Sequence, residues 1–104
     1  MSNKNRGKFL VHLHLEELIQ KRFGAYVDVE HSQFNPLVTN ERGKEIKART
    51  TVWAYQTIDD AKKGENPIAV ANAECSKNDA FVKREGLTLA LRRLYRDLAS
   101  KNFA

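Results

Sequence analysis

Hydrophobic and polar positions change period several times along this chain, and each change marks an element. From Phe9 two periods overlap. Phe9, Val11, Leu13 and Leu15 alternate as in a strand, whereas Leu10, Leu13 or His14, Leu18 and Ile19 recur at helical spacing up to Phe23-Gly24. The pattern favours a helix over 11–23. Glu16-Glu17 near its start and Lys21-Arg22 in its last turn complement the helix dipole, and Gly24 suits the left-handed residue that follows a helix. A strand running from Lys8 into the helix is the competing reading. Residues 25–30 alternate with period two, which predicts a strand with one wet face. Residues 32–47 hold Asn35-Pro36, Asn40, Gly43 and many charges. They predict a long loop, of a length that usually carries function or moves.

Thr50, Thr51, Val52, Trp53, Tyr55, Thr57 and Ile58 make 48–58 the strongest strand signal, since β-branched and aromatic side chains fit a pleated surface. Residues 59–67 are a polar turn, and 68–75 form a second extended run. The two runs predict an antiparallel hairpin, with Pro67 tolerated at the strand entrance. Asn78 or Asp79 is then expected to cap the last helix. Its apolar stripe is Leu87, Leu91, Leu94 and Leu98, flanked by Ala90 and Tyr95, with Glu85, Arg92 and Arg96 opposite and Leu89 and Val82 off the stripe. The order implies an α+β fold. An antiparallel sheet of about three strands carries an N-terminal and a C-terminal helix on one face, α-β-β-β-α. Residues 1–8 are read as a flexible basic N-terminus and 9–104 as a single domain.

Composition narrows the function classes. A chain of 104 residues supports one core, and 41% apolar with 30% charged residues argues against wholesale disorder. No apolar run approaches the roughly 18–20 residues that span a bilayer. The polar start lacks the apolar segment of a secretory signal, and a lone cysteine fits a reducing compartment. A cytoplasmic protein without a membrane partner is expected. The net charge of +5 favours polyanions, nucleic acid or acidic protein surfaces.

Catalytic chemistry has little to stand on. His12 and His14 form an H-x-H pair that only His31 could extend, and no recognised metal-ligand spacing is present. Cys75 lacks the local signature of a cysteine hydrolase and reads as a small buried residue. No glycine-rich phosphate loop occurs. Hence no metal, no cofactor and no enzyme activity are expected. The basic residues of the last third, Lys77, Lys83, Arg84, Arg92, Arg93, Arg96 and Lys101, outnumber their acids, and helical arginines suit phosphate or carboxylate. Arg42, Lys44, Lys47 and Arg49 extend the set. A solvated helix face with internal pairs such as Arg93–Asp97 is the plain alternative. Trp53 and Tyr55 share one strand face, either under the helices as core or as a stacking platform for bases, with the core reading favoured.

Cys75, Asp79, Phe81, Gly86, Ala90 and Arg93 follow the spacing C-x3-D-x-F-x4-G-x3-A-x2-R. This resembles the C-terminal half of a family of small bacteriophage-encoded proteins of unknown function. The resemblance implies a phage or prophage origin and supplies no activity. Physically, Asp79 would cap the helix, Phe81 would plug its start, and Gly86 with Ala90 would form a notch that lets the helix approach the sheet closely. The helix–strand–strand–strand–helix order is also similar to a double-stranded RNA-binding domain. That likeness implies phosphate contacts by Lys77, Lys83 and Arg84, although the family's glycine-rich approach to this helix is missing. The expected function is a non-enzymatic phage accessory protein. It would bind nucleic acid, a duplex first, through Lys77, Lys83, Arg84, Arg92, Arg93 and Arg96. The alternative is an inhibitor or adaptor of a host protein that uses residues 32–47 and Leu89.

Overall fold

The computed structural model describes residues 3–101, with side chains described over 12–101. Helix α1 spans Asn3–Phe23, strand β1 Tyr26–Thr39, strand β2 Glu45–Tyr55, helix α2 Ile58–Lys63, strand β3 Ala69–Ser76 and helix α3 Lys83–Ser100. The strands form one antiparallel sheet in the order β1-β2-β3. Helix α3 lies across β3 and β2, and α1 packs beside α3 while touching β1. The fold is the expected α+β arrangement, with both long helices on one side of the sheet. Among the described residues no helix is long and apolar enough to cross a membrane.

The sheet's inner surface is built of small residues. Ala48, Thr50, Val52 and Ala54 alternate inward along β2, and Ala69 and Ala73 do so along β3. The large side chains come from the helices. Leu91, Leu94 and Leu98 of α3 are fully buried with Ala90, as the sequence stripe requires. The inward stripe of α1 differs from the expected one. Leu15, Ile19 and Phe23 join the core at four-residue spacing, whereas Leu13 and Leu18 are exposed. His12 lies one turn earlier on that stripe, with its Nδ1 enclosed and unpartnered among the described residues.

Three expectations need correction. Residues 32–47 are not a long loop. Strand β1 continues to Thr39, with an irregularity between Gln33 and Val38 that accommodates Pro36 after a cis bond. Because β1 is an edge strand, Pro36 costs no central ladder bond. The true turn is short, and Asn40 shapes it. Asn40 Oδ1 accepts from the amides of Arg42 (2.9 Å) and Lys44 (3.0 Å). Second, residues 59–67 are not a plain turn, because α2 forms there with Thr57 as its cap, the hydroxyl accepting from Asp60 N at 3.1 Å. Strand β2 accordingly ends at Tyr55. Third, Trp53 is not core. It shares parity with Lys47, Arg49 and Thr51, so it projects from the helix-free face. Tyr55 has the same parity but is buried at the strand end.

Candidate functional site

The segment between β3 and α3 is a folded corner. Asp79 does not cap α3. Its carboxylate accepts from Ser76 Oγ at 3.1 Å, and that hydroxyl accepts from Asn78 N at 3.3 Å. Ser76 thus closes the turn on itself, and α3 begins only after Val82, an extended cap residue that offers no side-chain hydrogen bond. The Cys75 thiol lies 3.6 Å from the carbonyls of both Ser76 and Asp79, so it packs into the corner. Phe81 turns inward against the His31 ring, centroids 6.2 Å apart in an edge-on arrangement.

Beneath this corner sits a pair that sequence reasoning missed. His31 Nδ1 and Thr50 Oγ1 are 2.8 Å apart. Burial, then the nearby Lys83 charge, lower the His31 pKa below its ordinary value. Gly86 lies directly over Thr50, where a Cβ would come within 2.8 Å of Thr50 Oγ1. The expected notch is therefore present, with Ala90 buried on the following turn. Cys75, Asp79, Phe81, Gly86, Glu85 and Leu89 border a surface cavity of about 510 Å³.

The basic residues do not form one patch. Lys77 pairs with Glu45 at 2.7 Å. Arg93 lies about 100° around the helix from Arg92 and donates to the Asn72 carbonyl at 2.7 Å. Lys101 does the same to the Ile68 carbonyl at 3.2 Å and pairs with Asp97 at the same distance. Arg93 thus caps a carbonyl of edge strand β3 and Lys101 that of the residue just before it, which crowds that edge with side chains. Lys83 and Arg84 sit in the first turn of α3, Lys83 beside His31. Arg92 and Arg96 are both exposed and one turn apart. Among the described residues neither makes a hydrogen bond, ion pair or ring contact. They border a shallow groove between α1 and α3 of about 360 Å³, floored by Leu15, Tyr95 and Ala99.

The wall of that groove is held by contacts between the helices. The Tyr95 hydroxyl is hydrogen-bonded to the Arg22 guanidinium, which also lies over the Tyr95 and Phe23 rings at 5.5 and 5.6 Å. Tyr95 and Phe23 meet edge to face at 5.3 Å. Arg22 was legible in the sequence only as a charge at a helix end.

Other basic candidates lie elsewhere. On the helix-free face Arg49 pairs with Glu74 at 2.8 Å and stacks over Phe34 at 5.6 Å. Burial pushes the Glu74 carboxyl up, but hydrogen bonds from Arg49 and Asn40 and the Arg49 and Arg42 charges outweigh it, so its pKa is lowered. That face also carries Asp28, Glu30 and Asn72, so its charge is mixed. His12 and His14 lie on α1 and His31 on β1. Among the described residues no three His, Cys, Asp or Glu side chains converge as metal ligands would. Compared with known proteins, the chain matches no protein family, no curated protein and no solved structure.

Proposed function

We propose that this chain is a non-enzymatic binding protein that engages an anionic partner, nucleic acid first, through Arg92 and Arg96 of α3. One observation carries the reading: two guanidinium groups on a rigid helix stand exposed beside an apolar floor, with no internal partner among the described residues. Arginine on a rigid helix presents a planar fork of donors that matches phosphate or carboxylate. Lys83 adds a cation at the opposite end of α3, and Lys44 one in the β1–β2 turn. Lys77, Arg93 and Lys101, engaged within the molecule, are given structural roles here. The likeness of Cys75–Arg93 to small bacteriophage proteins supports placing it as a phage accessory factor. Two long helices flanking a three-stranded antiparallel sheet, with the short α2 inserted between β2 and β3, are what favours duplex over single strand in this reading.

The test is binding to duplex DNA, duplex RNA and single strands across about 50–200 mM salt. Salt-sensitive binding is expected, weakened in the Arg92→Ala/Arg96→Ala double variant while the fold persists. No binding at the lowest salt, or affinity indifferent to salt, removes nucleic acid. A second reading, an adaptor or inhibitor of a host protein, draws on Leu89, exposed on the same helix. A host partner retained in pull-down after nuclease treatment favours it. The 32–47 stretch, being paired strand and short turn, no longer offers the loop that reading first used.

A further inference from the structure

The helix-free face of the sheet holds a second cleft, unrelated to the arginine flank. Strand register sets Asp28 directly opposite Trp53 and Glu30 opposite Thr51, with Tyr55 one step along from Trp53 on the same face. The β2–β3 connection curls over this corner, so Gly64 and Pro67 form the far wall. The cleft is open to solvent and has a volume of about 380 Å³, room for a small side chain or head group with water.

Its chemistry is specific. Tyr55 lines the cleft and is only 3% exposed, and its hydroxyl, which bonds no other described residue, is not sealed off from the cleft. Burial, then the Asp28 charge, raise the Tyr55 pKa, so the hydroxyl stays neutral and available. Asp28 Oδ1 accepts from Val29 N, and Glu30 Oε1 accepts from Ser32 Oγ. The other carboxylate oxygens have no such bond. Lys62 and Lys63 stand on neighbouring α2, but neither forms an ion pair with Asp28 or Glu30. Two uncompensated carboxylates repel an anion, and a neutral apolar ligand has no use for them. An indole and a phenolic hydroxyl beside two carboxylates suit an organic cation, which the indole face, the hydroxyl oxygen and the negative charges attract together.

We propose that this cleft binds an alkylammonium group, with Trp53 and Tyr55 as its walls and Asp28 and Glu30 as its counter-charges. The group arrives either as a free amine or as a lysine side chain on a peptide. Trp53 is the chain's one tryptophan, so its fluorescence reports the cleft directly. The full chain is titrated at constant ionic strength with n-butylammonium, with a short lysine-containing peptide and its acetyl-lysine counterpart, and with neutral n-pentanol. Expected is a saturable change with butylammonium, none with n-pentanol, and at least a tenfold loss of affinity in Asp28→Asn/Glu30→Gln. A tighter response to the lysine peptide than to butylammonium, abolished by acetylation, assigns the natural source to a protein. The reverse order assigns it to a free amine. The substituted side chains are isosteric, and circular dichroism checks that the variant folds; should it not, Glu30→Gln alone is read in the same way. No saturable response, an equal response to n-pentanol, or unchanged affinity in the variant overturns the assignment.

Discussion

Replacing Gly86 by alanine interrogates how α3 is seated, because two effects of opposite sign compete there. Gly86 has no positive-φ requirement, so alanine's better helix propensity alone would stabilise α3 by about 1 kcal/mol. The added Cβ, however, would stand 2.8 Å from Thr50 Oγ1 and 3.5 Å from Thr50 Cβ. Thr50 is fully buried, and its hydroxyl is held 2.8 Å from His31 Nδ1. Lifting the helix costs about 1–3 kcal/mol, as overpacking does. Rotating Thr50 instead breaks the His31 bond and strands a buried polar atom, costing about 1–3 kcal/mol. Either route is at least as large as the propensity gain, so a net loss of up to about 2 kcal/mol, centred on about 1, is expected. In a domain this small, each kcal/mol lowers Tm by about 4–8 °C. Urea unfolding followed by Trp53 fluorescence measures it. Thr50→Ala removes the clashing oxygen, so in that background the same replacement should turn neutral or stabilising. Gly86→Ala more stable than the parent, or an equal penalty in both backgrounds, refutes the seating of α3 on Thr50.

Further outcomes follow from the same contacts. Leu94→Ala, at a fully buried position, should cost about 2–5 kcal/mol through the cavity it leaves; an unchanged thermal midpoint would show that the α3 face is misassigned. His31 has a lowered folded pKa, so the unfolded chain takes up its proton first. Stability should be full above the ordinary value near 6.5 and fall as pH drops from there through the lowered folded value. The urea midpoint of the parent should therefore decline across that window more than that of His31→Gln, and parallel declines would contradict the assignment. Arg49→Ala removes a half-exposed ion pair and a stack on Phe34, and should cost about 0.2–1 kcal/mol, shrinking at high salt; a salt-independent cost would point to packing alone.

The sequence and the fold agree where side-chain period is unambiguous. Leu87, Leu91, Leu94 and Leu98 could face only one way, and the core of α3 follows. Gly24 ends α1 in the left-handed conformation, its amide donating to Gln20 O at 2.9 Å, as its position implied. Misreadings arose where local chemistry had two outlets. Asp79 looked like a cap, but Ser76 reaches its carboxylate first. Asn35-Pro36 looked like a loop, yet an edge strand tolerates proline. Trp53 looked like core by size, although the parity shared with Lys47 and Arg49 already turned it outward. The arginines posed a different problem. Arg92, Arg93 and Arg96 are equivalent as a composition, and only the placement of β3 turns Arg93 onto the Asn72 carbonyl and leaves the other two exposed. The His31–Thr50 pair and the Tyr55 cleft join residues far apart in the chain, so they became visible only with the register.

The salt dependence of duplex binding, compared between the parent and Arg92→Ala/Arg96→Ala, tests the proposed function most directly. Each phosphate contact contributes about −0.9 to the slope of log K against log salt, so losing two should flatten it by about 1.8. That change, with the melting temperature preserved, is the predicted result. Superimposable salt curves for the two proteins would contradict it and move the binding surface away from this flank of α3.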